Sequence, residues 1–113
     1  MNPTPLPPSF RAYDLALEAL RLARAPLTRI RAVDRDLADQ LRAATSVALN
    51  LAEGAKRRGR DRAHFYRIAA GSAAESRACL DVAAAIGHAD ANDLAIAWRA
   101  FDGIAAMLFP LTR

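Results

Sequence analysis

The strongest chemical signal in this chain is a cluster of cations within a stretch of twelve residues. The stretch, 56–67, holds six basic side chains and one acidic side chain, a local charge of +5. Since the whole chain carries +4, the remainder carries −1. A concentrated positive patch of this kind is typical of a surface that contacts phosphate groups. The candidate nucleic-acid-binding residues are Lys56, Arg57, Arg58, Arg60, Arg62 and Arg67.

The same cations also have a structural explanation. Basic residues at the end of a helix complement the helix dipole, and arginine can pair with acidic groups of a neighbouring subunit. The stretch contains two aromatic residues of the Phe, Tyr and Trp type, Phe65 and Tyr66, and one of them should lie in the core. Base stacking is therefore weakly supported, and recognition of a particular base sequence is not supported. Phosphate binding and a solvated or subunit-contacting patch both remain open.

Polar residues also flank the basic stretch, on helix faces that are largely apolar. Buried polar groups must find hydrogen-bond partners, because each unsatisfied group costs about 1–3 kcal/mol. We expect these residues to form a shared network that fixes the alignment of two antiparallel helices; the alternative is that they face solvent. The predicted structural polar network consists of Arg42, Ser46, Asn50, Glu53, Gly71, Ser72 and Glu75.

The turn near Gly59 predicts which of these residues face each other. In an antiparallel pair centred on this turn, the numbers of facing residues sum to roughly 121. The predicted neighbours are Asn50 with Gly71, Ser46 with Glu75, and Glu53 with Arg67 and Ile68. Because glycine has no side chain, we expect Gly71 to let the two backbones approach closely.

Four amphipathic segments supply the elements that carry these residues. Apolar residues recur with spacings of three and four in a first helix over about 9–31, a second from about 34 to Gly59, a third from about 61 to Gly87, and a fourth from about 90 to Pro110. The pattern predicts an all-α protein, an antiparallel up-down-up-down four-helix bundle. We expect residues 1–8 to form a short proline-rich arm and residues 9–113 to form one domain, since 113 residues suffice for a single core.

The spacing also predicts the helix starts and the buried faces. Pro26 lies inside the first pattern, so we expect a bend near Ala25. The predicted N-caps are Ser9, Asp34 or Asp36, Asp61 and Asp90. The predicted core faces are Phe10, Tyr13, Leu17, Leu20 and Leu27 in the first helix; Leu37, Leu41, Ala44, Ala48, Leu51 and Ala55 in the second; Phe65, Ile68, Ala69, Ser72, Ala73, Leu80 and Ala83 in the third; and Leu94, Trp98, Phe101, Ala105 and Leu108 in the fourth.

Two motifs carry a family resemblance. The segment QLRAATSVALNLAEGAKRR (40–58) followed by FYRIAAGSAAE (65–75) resembles the bacterial four helix bundle protein family, also called the intervening-sequence protein or S23-like ribosomal protein family. Members typically carry Q-L-R-R-A-x-x-S-x-x-x-N-I-A-E-G, then F-x-x-x-A-x-G-S-x-x-E. The chain departs from this pattern at Ala43–Ala44, where an extra basic residue is common, and this weakens the inferred RNA surface.

The resemblance implies a four-helix bundle whose relatives assemble into homopentameric rings. Some relatives are encoded inside intervening sequences of large-subunit ribosomal RNA genes. The family is also similar to the accessory variability protein of diversity-generating retroelements, which binds nucleic acid and acts with a reverse transcriptase. From this resemblance the expected partners are further copies of the chain in a pentamer, RNA or DNA, and a nucleic-acid-processing protein.

Patterns for catalysis or metal binding are weak. A di-iron site in a helical bundle needs Glu-x-x-His pairs, and none of the three glutamates is followed by a histidine three positions later. Cys79 is the single cysteine, and neither His64 nor His88 should reach it from the ends of the third helix. We therefore expect no catalytic residue, no cofactor and no metal, and a protein that is not an enzyme.

The sequence also predicts a compartment. The first residues, MNPTPLPPS, lack the basic and apolar regions of a signal peptide, and the longest apolar run, 103–111, is shorter than the ~20 residues of a membrane span. A lone cysteine fits a reducing compartment. We expect a cytoplasmic protein without a membrane partner.

Together these observations predict a non-enzymatic, oligomeric accessory or scaffold protein that binds RNA or DNA through the basic patch. The main alternative is a protein–protein adaptor that does not bind nucleic acid and whose patch contacts an acidic partner. A more remote alternative is a small-molecule enzyme with its site in the bundle core.

Overall fold

The structure, a computed structural model, describes residues 8–112 and the side chains of residues 10–112. The helices are α1 (Pro8–Val33), α2 (Arg35–Gln40), α3 (Ala43–Ala55), α4 (Gly59–Ala85) and α5 (Ala91–Leu108), followed by a 3-10 helix, Phe109–Thr112. No strand occurs within residues 8–112. The predicted all-α four-helix fold is confirmed, with α2 and α3 in the place of the predicted second helix.

The four long helices, α1, α3, α4 and α5, pack side by side as a bundle in which neighbouring helices run in opposite directions. Leu15 of α1 lies against Gly103 of α5, whereas Arg29, further along α1, forms an ion pair of 3.1 Å with Asp93, nearer the start of α5. Residue numbers therefore rise along α1 as they fall along α5. The short loop 86–90 joins α4 to α5, and α3 and α4 also run antiparallel, as their contacts below show.

The core face of α1 is built from alanine rather than from the predicted large residues. The buried residues recur at spacings of four and three and are Ala12, Ala16, Ala19, Ala23, Pro26 and Ile30. The predicted Tyr13, Leu17, Leu20 and Leu27 are only half-buried on one flank, and Phe10 is exposed. Small side chains let α1 lie close to its neighbours, and the larger residues then cover the edges of the contact. The predicted face was wrong because periodicity alone cannot choose between two adjacent stripes.

The first helix runs close to its predicted bounds of 9–31 and continues through Pro26. It begins at Pro8, so Ser9 lies within the helix and is not its N-cap. Pro8 was assigned to the proline-rich arm, but it lies in α1. The rest of that predicted arm, residues 1–7, lies outside the described residues.

Asp34 separates α1 from α2 and links the start of α2 to the loop between α4 and α5. Its Oδ1 accepts a hydrogen bond of 2.9 Å from the N–H of Leu37, which confirms Asp34 as the N-cap of α2. Its Oδ2 lies 3.1 Å from Nε2 of His88 in the loop between α4 and α5. The hydrogen bond from Leu37, together with the contact to His88, lowers the pKa of the Asp34 carboxyl.

The other predicted helix ends have mixed outcomes. Asp90 caps α5 by accepting the N–H of Asn92, and Gly87, with φ of +80°, follows the end of α4 as predicted. Asp61, in contrast, lies in the first turn of α4 and does not cap it. The N-cap is Arg58, whose side chain makes no capping hydrogen bond, so the prediction for Asp61 is wrong.

The predicted second helix is interrupted at Leu41 and Arg42. Hydrogen bonds between residues three apart, from Ala44 to Leu41 and from Thr45 to Arg42, tighten the chain at this point. The seam is still largely buried across the break, although Leu37 is half-buried and Ala55 is exposed. The buried residues of α2, α3 and the link between them are Ala38, Leu41, Ala44, Val47, Ala48, Leu51 and Gly54.

The faces of α4 and α5 match the prediction more closely. Of the two adjacent aromatic residues in α4, Tyr66 is buried and Phe65 is half-buried, and Ile68 is exposed.

By length and composition, Ala91–Thr112 is also apolar enough to cross a membrane. Four of its large apolar residues are buried in the bundle core, whereas Ile96 and Phe109 are exposed; the buried ones are Leu94, Phe101, Ile104 and Leu108.

We expect Asp34 to make the stability of the fold sensitive to acid. Because its folded pKa is lowered, Asp34 stabilises the fold above its unfolded pKa of 3.8, and this contribution is lost as the pH falls through the folded value. Asp34→Asn keeps a capping side chain but removes the charge. The variant should be less stable than the wild type near neutral pH, and the difference should shrink in acid. Urea unfolding between about pH 2 and pH 7 measures it; a difference independent of pH would contradict the assignment.

Candidate nucleic-acid interface

The six candidate cations lie together at one end of the bundle. α3 ends at Ala55, residues 56–58 form the turn, and α4 begins at Gly59. All six side chains are exposed: Lys56, Arg57, Arg58, Arg60, Arg62 and Arg67. Their hydrogen bonds divide them into two groups of three.

Arg57 is held by two neighbours. Oε1 of Glu53 accepts hydrogen bonds from its Nε at 3.2 Å and its Nη2 at 2.8 Å, and its guanidinium carbon lies 5.2 Å from the centre of the Phe65 ring. The hydrogen bonds between the two side chains lower the pKa of Glu53 and raise the pKa of Arg57. Glu53 was predicted beside Arg67 and Ile68; its hydrogen-bonded partner is instead Arg57, four residues later in the turn that follows α3.

Arg62 and Arg67 contact backbone carbonyls. Arg62 reaches back to α3, where its Nε and Nη2 donate long hydrogen bonds of 3.4 and 3.5 Å to the carbonyls of Gly54 and Ala55. These carbonyls belong to the last turn of α3, where the carbonyl of Gly54 also accepts the backbone N–H of Arg57 at 3.0 Å. Nη1 of Arg67 donates to the carbonyl of Thr112 at 3.0 Å and so ties the end of the described chain to α4. Both arginines therefore help to hold the fold.

Lys56, Arg58 and Arg60 form the second group. Their side chains make no hydrogen bond and no close ion pair with any residue from 8 to 112. Arg60 also lines a shallow surface groove with Gly59, Ala63 and Arg67. These three charges are exposed and remain available to an anionic ligand.

A small polar cluster links α3 to α4 behind this turn. Nδ2 of Asn50 donates to the carbonyl and to Oγ of Ser46, both at 2.8 Å, and Oγ of Ser72 donates to the same Oγ at 3.1 Å. The Ser46 hydroxyl thus accepts one hydrogen bond from α3 and one from α4, as the two lone pairs of its oxygen allow. Ser76, fully buried, donates to the carbonyl of Ser72 at 2.8 Å. The structure therefore brings together Ser46, Asn50 and Ser72 of the predicted network.

Arg42 and Glu75 lie outside this cluster. Both are exposed, and neither side chain makes a hydrogen bond within the described part of the chain. Ser46 contacts Ser72 rather than the predicted Glu75, and the numbers of this pair sum to 118. The numbers of Gly54 and Tyr66, which also meet across the two helices, sum to 120, so both contacts lie within three residues of the predicted sum of about 121.

The close approach of α3 and α4 occurs at Gly54 and not at Gly71. A Cβ atom at Gly54 would lie 2.6 Å from Cε1 of Tyr66, and Tyr66 is almost completely buried. Gly71 is exposed, and a Cβ atom there would meet nothing within 4 Å. The prediction for Gly71 is therefore wrong. The signal for Gly54 was its place on the buried seam of α3, three residues after Leu51.

Cys79 lies in α4 with 7% of its surface exposed. Burial, with a smaller contribution from the charge of Glu75, raises the pKa of its thiol. The protonated thiol is a poor nucleophile, so this environment suits a packing role.

These features define a bundle protein in which α3 and α4 are locked together and present a cationic turn. The sequence profile of the family described as "23S rRNA-intervening sequence protein" matches residues 10–109. The chain belongs to this family. Among solved structures, it is similar to a protein of unknown function from the S23 ribosomal protein family of Bacteroides thetaiotaomicron, with a TM-score of 0.79 and 19% sequence identity over 90% of this chain and 98% of that one. No protein with a curated description matches the chain in sequence.

We expect alanine to have opposite effects at the two glycines. Alanine favours the helix over glycine by up to ~1 kcal/mol at both positions. At Gly54 the added methyl group must displace the buried Tyr66 ring, and overpacking of this kind costs about 1–3 kcal/mol. Gly71→Ala, the matched control, should therefore raise the free energy of unfolding. The free energy of unfolding of Gly54→Ala should be at least about 1 kcal/mol lower than that of Gly71→Ala. Urea unfolding measures both; equal stability of the two variants would contradict the close contact.

Proposed function

We propose that this protein is a non-enzymatic accessory or scaffold protein that binds RNA or DNA through the turn between α3 and α4. The observation that carries the proposal is the group formed by Lys56, Arg58 and Arg60. These are exposed cations without a hydrogen-bonded or ion-paired partner in residues 8–112, on a turn whose other cations are already engaged. Phosphate groups are the natural counter-charges for such a surface.

The surroundings of the turn favour phosphate contact over reading of a base sequence. Lys56 and Arg58 lie in the turn and Arg60 lies in the first turn of α4, and lysine and arginine side chains are groups that contact phosphate oxygens. Arg57, Arg62 and Arg67 hold the turn against α3, α4 and the end of the chain, so the free charges are carried on a fixed support. We therefore propose binding that depends strongly on salt and weakly on sequence. The family's description, which names an insertion in 23S rRNA, agrees with an RNA-related role.

We also propose that the chain works as a homo-oligomer, and from the family resemblance as a pentamer. Several large apolar side chains are exposed on the single bundle: Leu49 (69%), Ile96 (60%), Ile86 (54%) and Val82 (45%). Contact between copies would remove this surface from water. A ring would also repeat the cationic turn and raise the affinity for a long polyanion without new contacts.

Light scattering on a purified sample at micromolar concentration tests the assembly. We expect a mass several times the 12.2 kDa of one chain, and about five times for a pentamer. A mass of one chain that is unchanged up to ~100 µM would contradict self-association.

We propose a cytoplasmic setting and a nucleic-acid-processing protein as a further partner. The other candidate function is a protein–protein adaptor, in which the same cations contact an acidic protein. The adaptor would leave nucleic acid unbound at low salt, so a single titration separates the two functions.

The titration measures the binding of a fluorescent structured RNA at several salt concentrations. Replacing Lys56, Arg58 and Arg60 together by alanine should weaken binding at about 50 mM salt by at least about tenfold. It should also reduce the slope of log K against log salt by roughly 2–3, because each lost phosphate contact removes about 0.7–0.9. Since these side chains have no partner within residues 8–112, the fold should be unchanged.

The matched control removes the same amount of charge elsewhere. Arg24, Arg35 and Arg99 are exposed, and their side chains also make no hydrogen bond with a described residue. Their joint replacement by alanine should leave the salt slope close to that of the wild type. Equal effects of the two triple variants, or no binding by the wild type at low salt, would contradict the proposed function.

A further inference from the structure

Three flat side chains meet beside the cationic turn. The guanidinium carbon of Arg57 lies over the Phe65 ring, 5.2 Å from its centre. The His64 ring meets the same phenyl ring edge-on, with the centres 5.4 Å apart and the planes at 73°. Phe65 is half-buried between them, whereas His64 and Arg57 are exposed. Phe65 thus connects two exposed planar groups to the bundle.

Arg57 is fixed in position at this site. Glu53 accepts two of its N–H groups, and the guanidinium carbon lies over the Phe65 ring. About 45% of the Arg57 side chain is still exposed. An exposed arginine is usually mobile, and ordering it for a ligand costs conformational entropy. Here the contacts with Glu53 and Phe65 already restrict the Arg57 side chain, so less conformational entropy is lost when a ligand binds.

A held guanidinium of this kind suits one class of ligand. Unpaired nucleobases stack on arginine planes and on aromatic rings in proteins that bind single strands. In a duplex the faces of the bases are covered by their neighbours, so such a plane has nothing to stack on. Lys56 and Arg58 adjoin Arg57 in the chain and can contact the phosphates on either side of a stacked base.

We propose that Arg57, supported by Phe65 and oriented by Glu53, is a stacking site for an unpaired nucleobase, and that the ligand of the turn is single-stranded nucleic acid. This inference rests on the proposed function and adds the class of ligand. It assigns different roles to adjacent residues. Arg57 contacts a base, and Lys56, Arg58 and Arg60 contact phosphates.

The test compares three fluorescent DNA probes of about 15 nucleotides: an oligothymidylate, an abasic strand of equal length, and a duplex. The first two carry the same phosphates and differ only in their bases. At equal salt, the oligothymidylate should bind at least about fivefold more tightly than the abasic strand, because each stacked base adds that much or more. It should also bind more tightly than the duplex.

Two variants assign the difference to this site. Arg57→Lys keeps the charge but removes the guanidinium plane. It should bring the affinity for oligothymidylate down to that for the abasic strand, and leave abasic binding and its salt slope unchanged. Phe65→Leu keeps an apolar side chain but removes the supporting ring, and should act in the same direction. Arg60→Lys is the matched control, since Arg60 lies in the same turn without a ring beneath it, and it should preserve the difference between probes. Because Arg57 is exposed, Arg57→Lys tests the site even if Phe65→Leu unfolds the protein.

Equal affinity of the wild type for the oligothymidylate and abasic strands would overturn this inference. Tighter binding of the duplex, or a preference for bases that survives Arg57→Lys, would also overturn it. If binding nevertheless depended on Lys56, Arg58 and Arg60, the proposed function would stand without the stacking site. If none of the three DNA probes bound at low salt, this inference would be overturned, and the titration with structured RNA would decide the proposed function separately.

Discussion

The contact between α3 and α4 at Gly54 and Tyr66 is the constraint on which the rest of the structure depends. A Cβ atom at Gly54 would lie only 2.6 Å from the Tyr66 ring, so glycine at residue 54 leaves the space that this ring occupies between the two helices. Two turns away, Ser46 joins Ser72 across the same pair of helices. These two contacts fix the register, and the register determines where the turn at residues 56–58 projects.

The cations of that turn divide according to this register. Arg62 reaches the last carbonyls of α3 because α4 lies alongside it, and Arg57 reaches Phe65 for the same reason. The side chains of Lys56, Arg58 and Arg60 make no hydrogen bond and no close ion pair with residues 8–112, although the charge of Lys56 helps to lower the pKa of Glu53. One basic segment thus contains side chains that hold the turn and side chains that the fold leaves unpaired. A count of charges treats all of them alike, whereas the geometry separates them.

The sequence predicted the helices well because their signals are local. The caps Asp34 and Asp90 and the stop at Gly87 depend on neighbouring residues in the chain and are confirmed, whereas the predicted caps Ser9 and Asp61 lie inside their helices. The other errors concern packing between helices. The alanine stripe of α1 and the contact of Ser46 with Ser72 rather than Glu75 depend on which of several equivalent faces meets a neighbour. The close approach of Gly54 depends on the size of Tyr66, which is distant in sequence. These are properties of pairs of elements, and spacing within one helix does not contain them.

Solution NMR of the labelled protein during titration with a single-stranded oligonucleotide tests the central claim most directly. The account predicts shifts in the amide and side-chain signals of Lys56, Arg57, Arg58 and Arg60. It predicts no shifts in the signals of Ser46, Tyr66 and Ser72, because the support beneath the turn does not move. Shifts centred on another face of the bundle would contradict the account. So would shifts throughout the contact between α3 and α4, because the pairing of these helices would then not be a fixed support.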